Sequence, residues 1–114
     1  MADQANLHKN WFFKKKVLIT GATSGIGRAL ALWYLNNGAQ VILVGRDLTE
    51  LTQIGQSYPA QALVAKCDLT VDIQVFHLKQ AVEKFTAGRL DVLINCAGKC
   101  HRLAHRFYRQ HLRW

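Results

Sequence analysis

Thr20-Gly21-Ala22-Thr23-Ser24-Gly25-Ile26-Gly27 follows the wholly apolar run Val17-Leu18-Ile19 and leads into an apolar, helix-like segment beginning at Ile26. A strand, a glycine-rich turn and a helix start, in that order, make a cradle for phosphate. The first N–H groups of a helix lack internal partners, and its dipole turns a positive end toward an anion. Gly21 suits the tight turn out of the strand, Gly25 lets a pyrophosphate approach the backbone, and Gly27 lets the helix lie close to the sheet. The stretch implies a dinucleotide site.

Outward from this turn, strand-like and helix-like segments alternate. A helix is expected from about Ser24 to Asn37, carrying Ile26, Leu30, Trp33 and Tyr34 at helical spacing and stopping at Gly38. Val41 to Val44 reads as the second strand, and Asp47 or Thr49 is placed to cap a short helix carrying Leu48, Leu51 and Ile54. Leu63 to Ala65 reads as the third strand. A longer helix from about Thr70 to Thr86 carries the stripe Val75, Leu78, Val82 and Phe85 and ends at Gly88; Val92 to Ile94 is the fourth strand. The strands are continuous apolar runs, as a parallel sheet covered on both faces requires. The expectation is an α/β fold: a Rossmann-type parallel sheet of about four strands in the order 3-2-1-4, with flanking helices and right-handed crossovers.

Composition narrows the class. A chain of 114 residues makes one domain, and a hydrophobic share of 50% excludes disorder. No apolar run reaches the ~18 residues of a membrane span. The start, with Asp3 and other polar residues, does not read as a secretory signal. Cys67, Cys96 and Cys100 form no disulfide framework, so a cytoplasmic, reducing setting is expected. Trp11-Phe12-Phe13, ahead of Lys14 to Lys16, is expected to cover one end of the sheet; the rival reading is a weak membrane contact.

Three sets of residues carry a family resemblance. Thr20 to Gly27 fits T-G-x-x-x-G-x-G at every fixed position, Asp68 follows the third strand in Cys67-Asp68-Leu69, and Asn95-Cys96-Ala97-Gly98 follows the fourth. In that order the chain resembles the short-chain dehydrogenase/reductases over residues 15–98. The resemblance implies hydride transfer between a nicotinamide dinucleotide and a carbonyl or alcohol. It places Gly21, Gly25, Ile26 and Gly27 around the pyrophosphate, with Ser24 adding a hydroxyl donor; the other reading of Ser24 is a helix cap. It implies that Asp68 accepts from the adenine amino group with Leu69 beside it, against a reading of Asp68 as a helix N-terminal acid. Asn95 would steady the sheet through a neighbouring strand, while Ala97 and Gly98 admit the cofactor ribose. After the second strand comes Gly45, then Arg46, where users of NAD carry an acid for the ribose 2′-hydroxyl. A guanidinium suits a 2′-phosphate, so NADP(H) is preferred over NAD(H). The other reading of Arg46 is an exposed partner for Asp47 or Glu50.

The family's chemistry also needs Tyr-x-x-x-Lys and a preceding serine. Four residues after Tyr34, Tyr58 and Tyr108 stand Gly38, Ala62 and Leu112, and the serines, Ser24 and Ser57, fall too early. The expected function is therefore the NADP(H)-binding portion of an oxidoreductase, inactive alone, with no catalytic residue assigned. The alternative is a non-enzymatic dinucleotide-binding module or a basic-tailed protein binding membrane or nucleic acid. The formal charge of +8 is concentrated late: Lys99, Arg102, Arg106, Arg109 and Arg113 meet no acid after Gly98. Residues 1–14 read as an extension and 99–114 as a basic tail unlike the family, which points to a frame change, alternative splice or pseudogene event. A disordered extension is preferred for this tail over an amphipathic helix on nucleic acid or membrane. Cys96, Cys100, His101 and His105 match no zinc spacing, so no metal is assigned. With strand four at an edge, association into homo-oligomers or aggregates is expected.

Overall fold

In a computed structural model of the protein, the residues described are 12–96. Four parallel strands, β1 (Lys16–Thr20), β2 (Gln40–Gly45), β3 (Ala62–Lys66) and β4 (Val92–Asn95), pair in the order β3-β2-β1-β4. Three helices connect them: α1 (Gly25–Asn36), α2 (Leu48–Gln56) and α3 (Asp72–Thr86). The register aligns Leu18 with Ile42 and with Leu93, and Leu43 with Val64. The expected fold class and strand order both stand.

Alternation along the strands explains the continuous apolar runs. Val17, Ile19, Val41 and Leu43 face α1 and α2, where Ala31, Leu35, Leu51 and Ile54 complete one core. Leu18, Ile42 and Val44 face the other side, against Val75, Leu78 and Val82 of α3. The sheet grows from β1 to β2 to β3, so right-handed crossovers put α1 and α2 on one face; the return to β4 puts α3 on the other. Val17, Leu18 and Ile19 are 0% exposed, and each fully buried side chain of this size stabilises by about 1.5–3 kcal/mol.

The α3 stripe is as the sequence implies, but that of α1 is not. Its buried face is Gly27, Ala31 and Leu35, while Ile26 is 74% and Trp33 47% exposed. Small residues let the helix approach the sheet, so the larger ones rotate outward. Leu48 at the start of α2 is exposed for a related reason: Leu51 and Ile54 already fill that contact. Asp47 caps α2, its carboxylate accepting from the Glu50 N–H at 3.2 Å. β4 and β3 are the edges among the described residues, and Val92, Leu93 and Ile94 are half-buried there.

Two helix ends need left-handed backbone. Gly38, after α1, has φ of 85°. α3 ends differently from expectation: Ala87 takes the left-handed cap at φ 54°, one residue before Gly88 at φ 82°. The side chain of Ala87 pays a steric penalty of about 1 kcal/mol there. Ala87→Gly should therefore raise unfolding free energy by roughly 0.5–1 kcal/mol in urea titration with an unchanged m-value. A loss of stability would show that the left-handed cap is not populated.

Candidate functional site

The carboxyl ends of the parallel strands open onto a crevice of about 570 Å³. Such crevices form where strand order reverses, here between β1 and β4, because successive crossovers leave in opposite directions. Hydrogen bonds continue the ladders past the strand ends and hold the loops in place. The N–H of Ala22 donates to Val44 O at 3.1 Å, that of Cys67 to Gly45 O at 2.9 Å, and that of Cys96 to Thr20 O at 3.1 Å. Thr20, fully buried, donates its hydroxyl to Asn95 Oδ1 at 2.7 Å. Asn95 thus ties β4 to β1 through a side chain.

The glycine turn shows a division of labour among its three glycines. Gly21 has φ of 64°, a conformation that favours glycine. A Cβ on Gly27 would lie 2.1 Å from the Gly21 carbonyl oxygen, so close packing at this point excludes any side chain. A Cβ on Gly25 would meet nothing within 4 Å. The turn therefore needs glycine at 27 for its own packing, whereas at 25 it leaves open space over the helix start. Ser24 is the N-cap of α1: its Oγ accepts from the Gly27 N–H at 3.3 Å and donates to Gly21 O at 2.6 Å. That hydroxyl proton is thus directed into the turn. The N–H groups of Gly25 and Ile26 have no protein acceptor among the described residues.

At the far side of the crevice, Arg46 and Asp47 follow β2, and Asp68, Leu69 and Thr70 follow β3. Asp68 Oδ1 accepts from both the hydroxyl of Thr70, at 2.7 Å, and its N–H, at 3.0 Å. The hydroxyl bond, then the backbone bond, hold the Asp68 carboxyl below its ordinary value of 3.8; slight desolvation opposes them and the Arg46 guanidinium adds to them. Arg46 is exposed and forms no ion pair within 4.0 Å among the described residues, so neither Asp47 nor Glu50 holds it. Both acids nonetheless line the same crevice.

Of the residues read from the sequence, Gly21, Ser24, Arg46, Asp68 and Leu69 line the crevice together. Gly25 and Ile26 stand at the adjoining helix start, Gly27 beneath the turn and Asn95 at the end of β4. Ala97, Gly98, the basic tail and Trp11 lie outside the described residues. Sequence reasoning missed Thr23, Val44, Glu50, Thr70 and the two cysteines Cys67 and Cys96 as lining residues. A signal existed for the cysteines: each directly follows a parallel strand, and such positions face the crevice.

The family model for short chain dehydrogenase matches residues 15–112, running past Gly98 into the basic segment. An uncharacterized oxidoreductase of Staphylococcus epidermidis is 37% identical over 75% of this chain and 37% of its own length. Human dehydrogenase/reductase SDR family member 1 is 40% identical over 70% of this chain and 26% of its own. The NADPH-dependent 1-acyldihydroxyacetone phosphate reductase of Schizosaccharomyces pombe is 40% identical over 75% of this chain and 28% of its own. The chain thus spans well under half the length of these relatives. A short-chain dehydrogenase from Streptomyces avermitilis superposes with a TM-score of 0.76 at 28% identity, over 86% of this chain and 43% of that one. The 3-ketoacyl-(acyl-carrier-protein) reductase of Brucella melitensis, solved with NADH, gives 0.66 at 29% identity, over 72% and 33%.

The turn geometry separates folding from ligand binding. Gly27→Ala should destabilise the chain by at least about 2 kcal/mol, because a backbone clash cannot relax by rotamer change. Gly25→Ala should leave unfolding free energy unchanged or raise it by about 0.5 kcal/mol, since alanine favours a helix start over glycine, yet abolish dinucleotide binding measured by calorimetry. Equal effects of the two changes on stability would contradict the assigned roles. For Asp68 the folded value is depressed. The stability contributed by Thr70 is therefore present above the ordinary value of 3.8 and lost as pH falls through the lower folded value. Thr70→Val should move the Asp68 midpoint upward in a carboxyl NMR titration; an unmoved midpoint would exclude the hydroxyl as its cause.

Proposed function

The chain belongs to the short-chain dehydrogenase family, and from that premise we propose that it is the dinucleotide-binding portion of an oxidoreductase with a preference for NADP(H) over NAD(H). The observation that carries this reading is an open helix start at one side of the crevice and, at the other, a guanidinium with no ion pair among the described residues. The fit to a dinucleotide is good at both ends. At one end the N–H groups of Gly25 and Ile26 have no acceptor among the described residues and the space above Gly25 is free, which suits a pyrophosphate. At the other end Arg46 is exposed beside an uncharged Gly45, which suits a 2′-phosphate. Asp68 and Leu69 would take the adenine, and Ala97 and Gly98 the nicotinamide ribose.

When bound, the cofactor would supply a hydride for a carbonyl or accept one from an alcohol. This chain's own residues bind and orient it. Gly21 and Gly27 shape the turn, Ser24 fixes the helix start, and Asn95 with Thr20 holds β4 against β1. None of the residues in the sequence forms a Tyr-x-x-x-Lys pair, so we assign no proton donor, and the chain by itself would bind cofactor without turnover. We assign the binding unit to residues 15–98, with 1–14 and 99–114 flanking it, and a cytoplasmic setting. Self-association at the half-buried β4 edge belongs to the same proposal, since open strand edges pair.

Relatives of the chain differ in their cofactor: the S. pombe reductase is NADPH-dependent and the Brucella reductase was solved with NADH. The choice for this chain is placed on Arg46. Arg46→Ala should weaken NADPH binding in a fluorescence titration by roughly ten- to a hundredfold, the range for a lost charge-assisted hydrogen bond, and change NADH binding by less than about threefold. Equal losses for the two would overturn the assigned preference.

A further inference from the structure

The end of the sheet opposite the crevice carries a second organised surface, built from Phe12-Phe13-Lys14-Lys15-Lys16 and the last turns of α1. Phe12 meets Trp33 at 4.9 Å and Tyr34 at 5.9 Å between ring centroids, and Trp33 meets Tyr34 at 5.1 Å, all edge to face. Phe13 lies over Gly38, where a Cβ would come 2.8 Å from its ring. The N–H of Lys14 donates to Gly38 O at 2.9 Å, so the segment is clamped to the helix end rather than merely passing it. Lys14 does this at φ 61°, a left-handed conformation that side chains rarely adopt.

This packing leaves apolar surface outside. Phe13 is 57% and Trp33 47% exposed, and Lys14 Nζ stands 5.4 Å from the centroid of the Phe13 ring. Among the described residues the local charge is positive: Lys14 and Lys15 precede β1, Lys16 is its first residue, and Arg89 adds a fourth cation near the start of β4. An acid in this neighbourhood, Asp91, is engaged on both oxygens, by Arg89 Nε at 3.2 Å and by the Lys16 N–H at 2.9 Å.

We propose that this face docks on an anionic phospholipid surface, with Phe13 and Trp33 entering the headgroup boundary and Lys14, Lys15 and Lys16 lying against lipid phosphates. Aromatic rings and lysines side by side match that boundary, where one end of a residue is apolar and the other wet. Lysine stems run along apolar surface while their amines stay in water, as Lys14 does over Phe13. Nucleic acid fits less well, because single-stranded bases stack on ring faces, whereas Phe12, Trp33 and Tyr34 are locked edge to face among themselves and Lys14 Nζ stands over the Phe13 ring. β1 has five residues, about 16 Å of strand, so docking at one end leaves the crevice at the other end open. The proposal stands whether or not the assigned cofactor preference does.

The test is co-sedimentation of the full chain with vesicles of phosphatidylcholine alone or with about a third phosphatidylserine, at low and raised salt. Binding should require phosphatidylserine and weaken with salt. Phe13→Ser and the pair Lys14→Asn with Lys15→Gln, each checked for an unchanged melting profile, should lower partitioning, the lysine pair on the order of tenfold; asparagine tolerates the left-handed position. Replacing Arg102, Arg106, Arg109 and Arg113 by Gln should leave most of the binding intact. No sedimentation with either vesicle would overturn the proposal. So would binding lost only in the tail variant, or tighter binding to a single-stranded RNA oligonucleotide than to the vesicles.

Discussion

The carbonyl oxygen of Gly21 stands where any side chain on residue 27 would begin, 2.1 Å from that Cβ position. This close approach sets where α1 starts and how near it lies to β1. With the helix start fixed by it and by the Ser24 cap, Ala31 and Leu35 reach Val17 and Ile19. The right-handed crossover then places β2 beside β1, and the loops at their carboxyl ends enclose a crevice. The same contact that packs the helix sets its start beside that crevice, with Gly25 and Ile26 N–H groups that have no acceptor among the described residues. Fold and the proposed anion site therefore share one constraint.

The strands were legible because each is short, wholly apolar and bounded by turn residues. Their order followed from the crossover rule. The α3 stripe was legible for the usual reason: Val75, Leu78 and Val82 repeat at helical spacing against one face of the sheet. In α1, hydrophobicity alone does not mark the buried face. In a helix pressed close to a sheet, glycine and alanine occupy the contact, so Ile26 and Trp33 turn outward. α3 starts at Asp72 instead of near Thr70 because Asp68 draws both Thr70 donors into a turn of its own. Pairing of a side chain with the backbone two residues on competes with helix, and apolar periodicity carries no trace of it.

The site was legible where chemistry sits in the backbone and less so where it sits in side chains. Glycine spacing marks the turn proposed for phosphate, and a strand's end marks Arg46. Which hydroxyls and carboxylates are already engaged within the turn required coordinates: Ser24 and Asp68 both have partners inside the protein. Arg46 forms no ion pair among the described residues, though its charge acts on Asp68, and that contrast carries the proposed function. The chain matches its relatives through this binding portion, at 37% of the length of the staphylococcal oxidoreductase and 26% of the human protein.

The most direct measurement is an amide ¹H–¹⁵N NMR titration of the chain with NADP⁺. Capture at the open helix start predicts that the Gly25 and Ile26 amide resonances move furthest downfield, with Arg46 and Leu69 shifting at the same ligand concentration. Gly25 and Ile26 unmoved at saturation, or shifts confined to residues away from the crevice, would contradict the claim that this turn is the anion site.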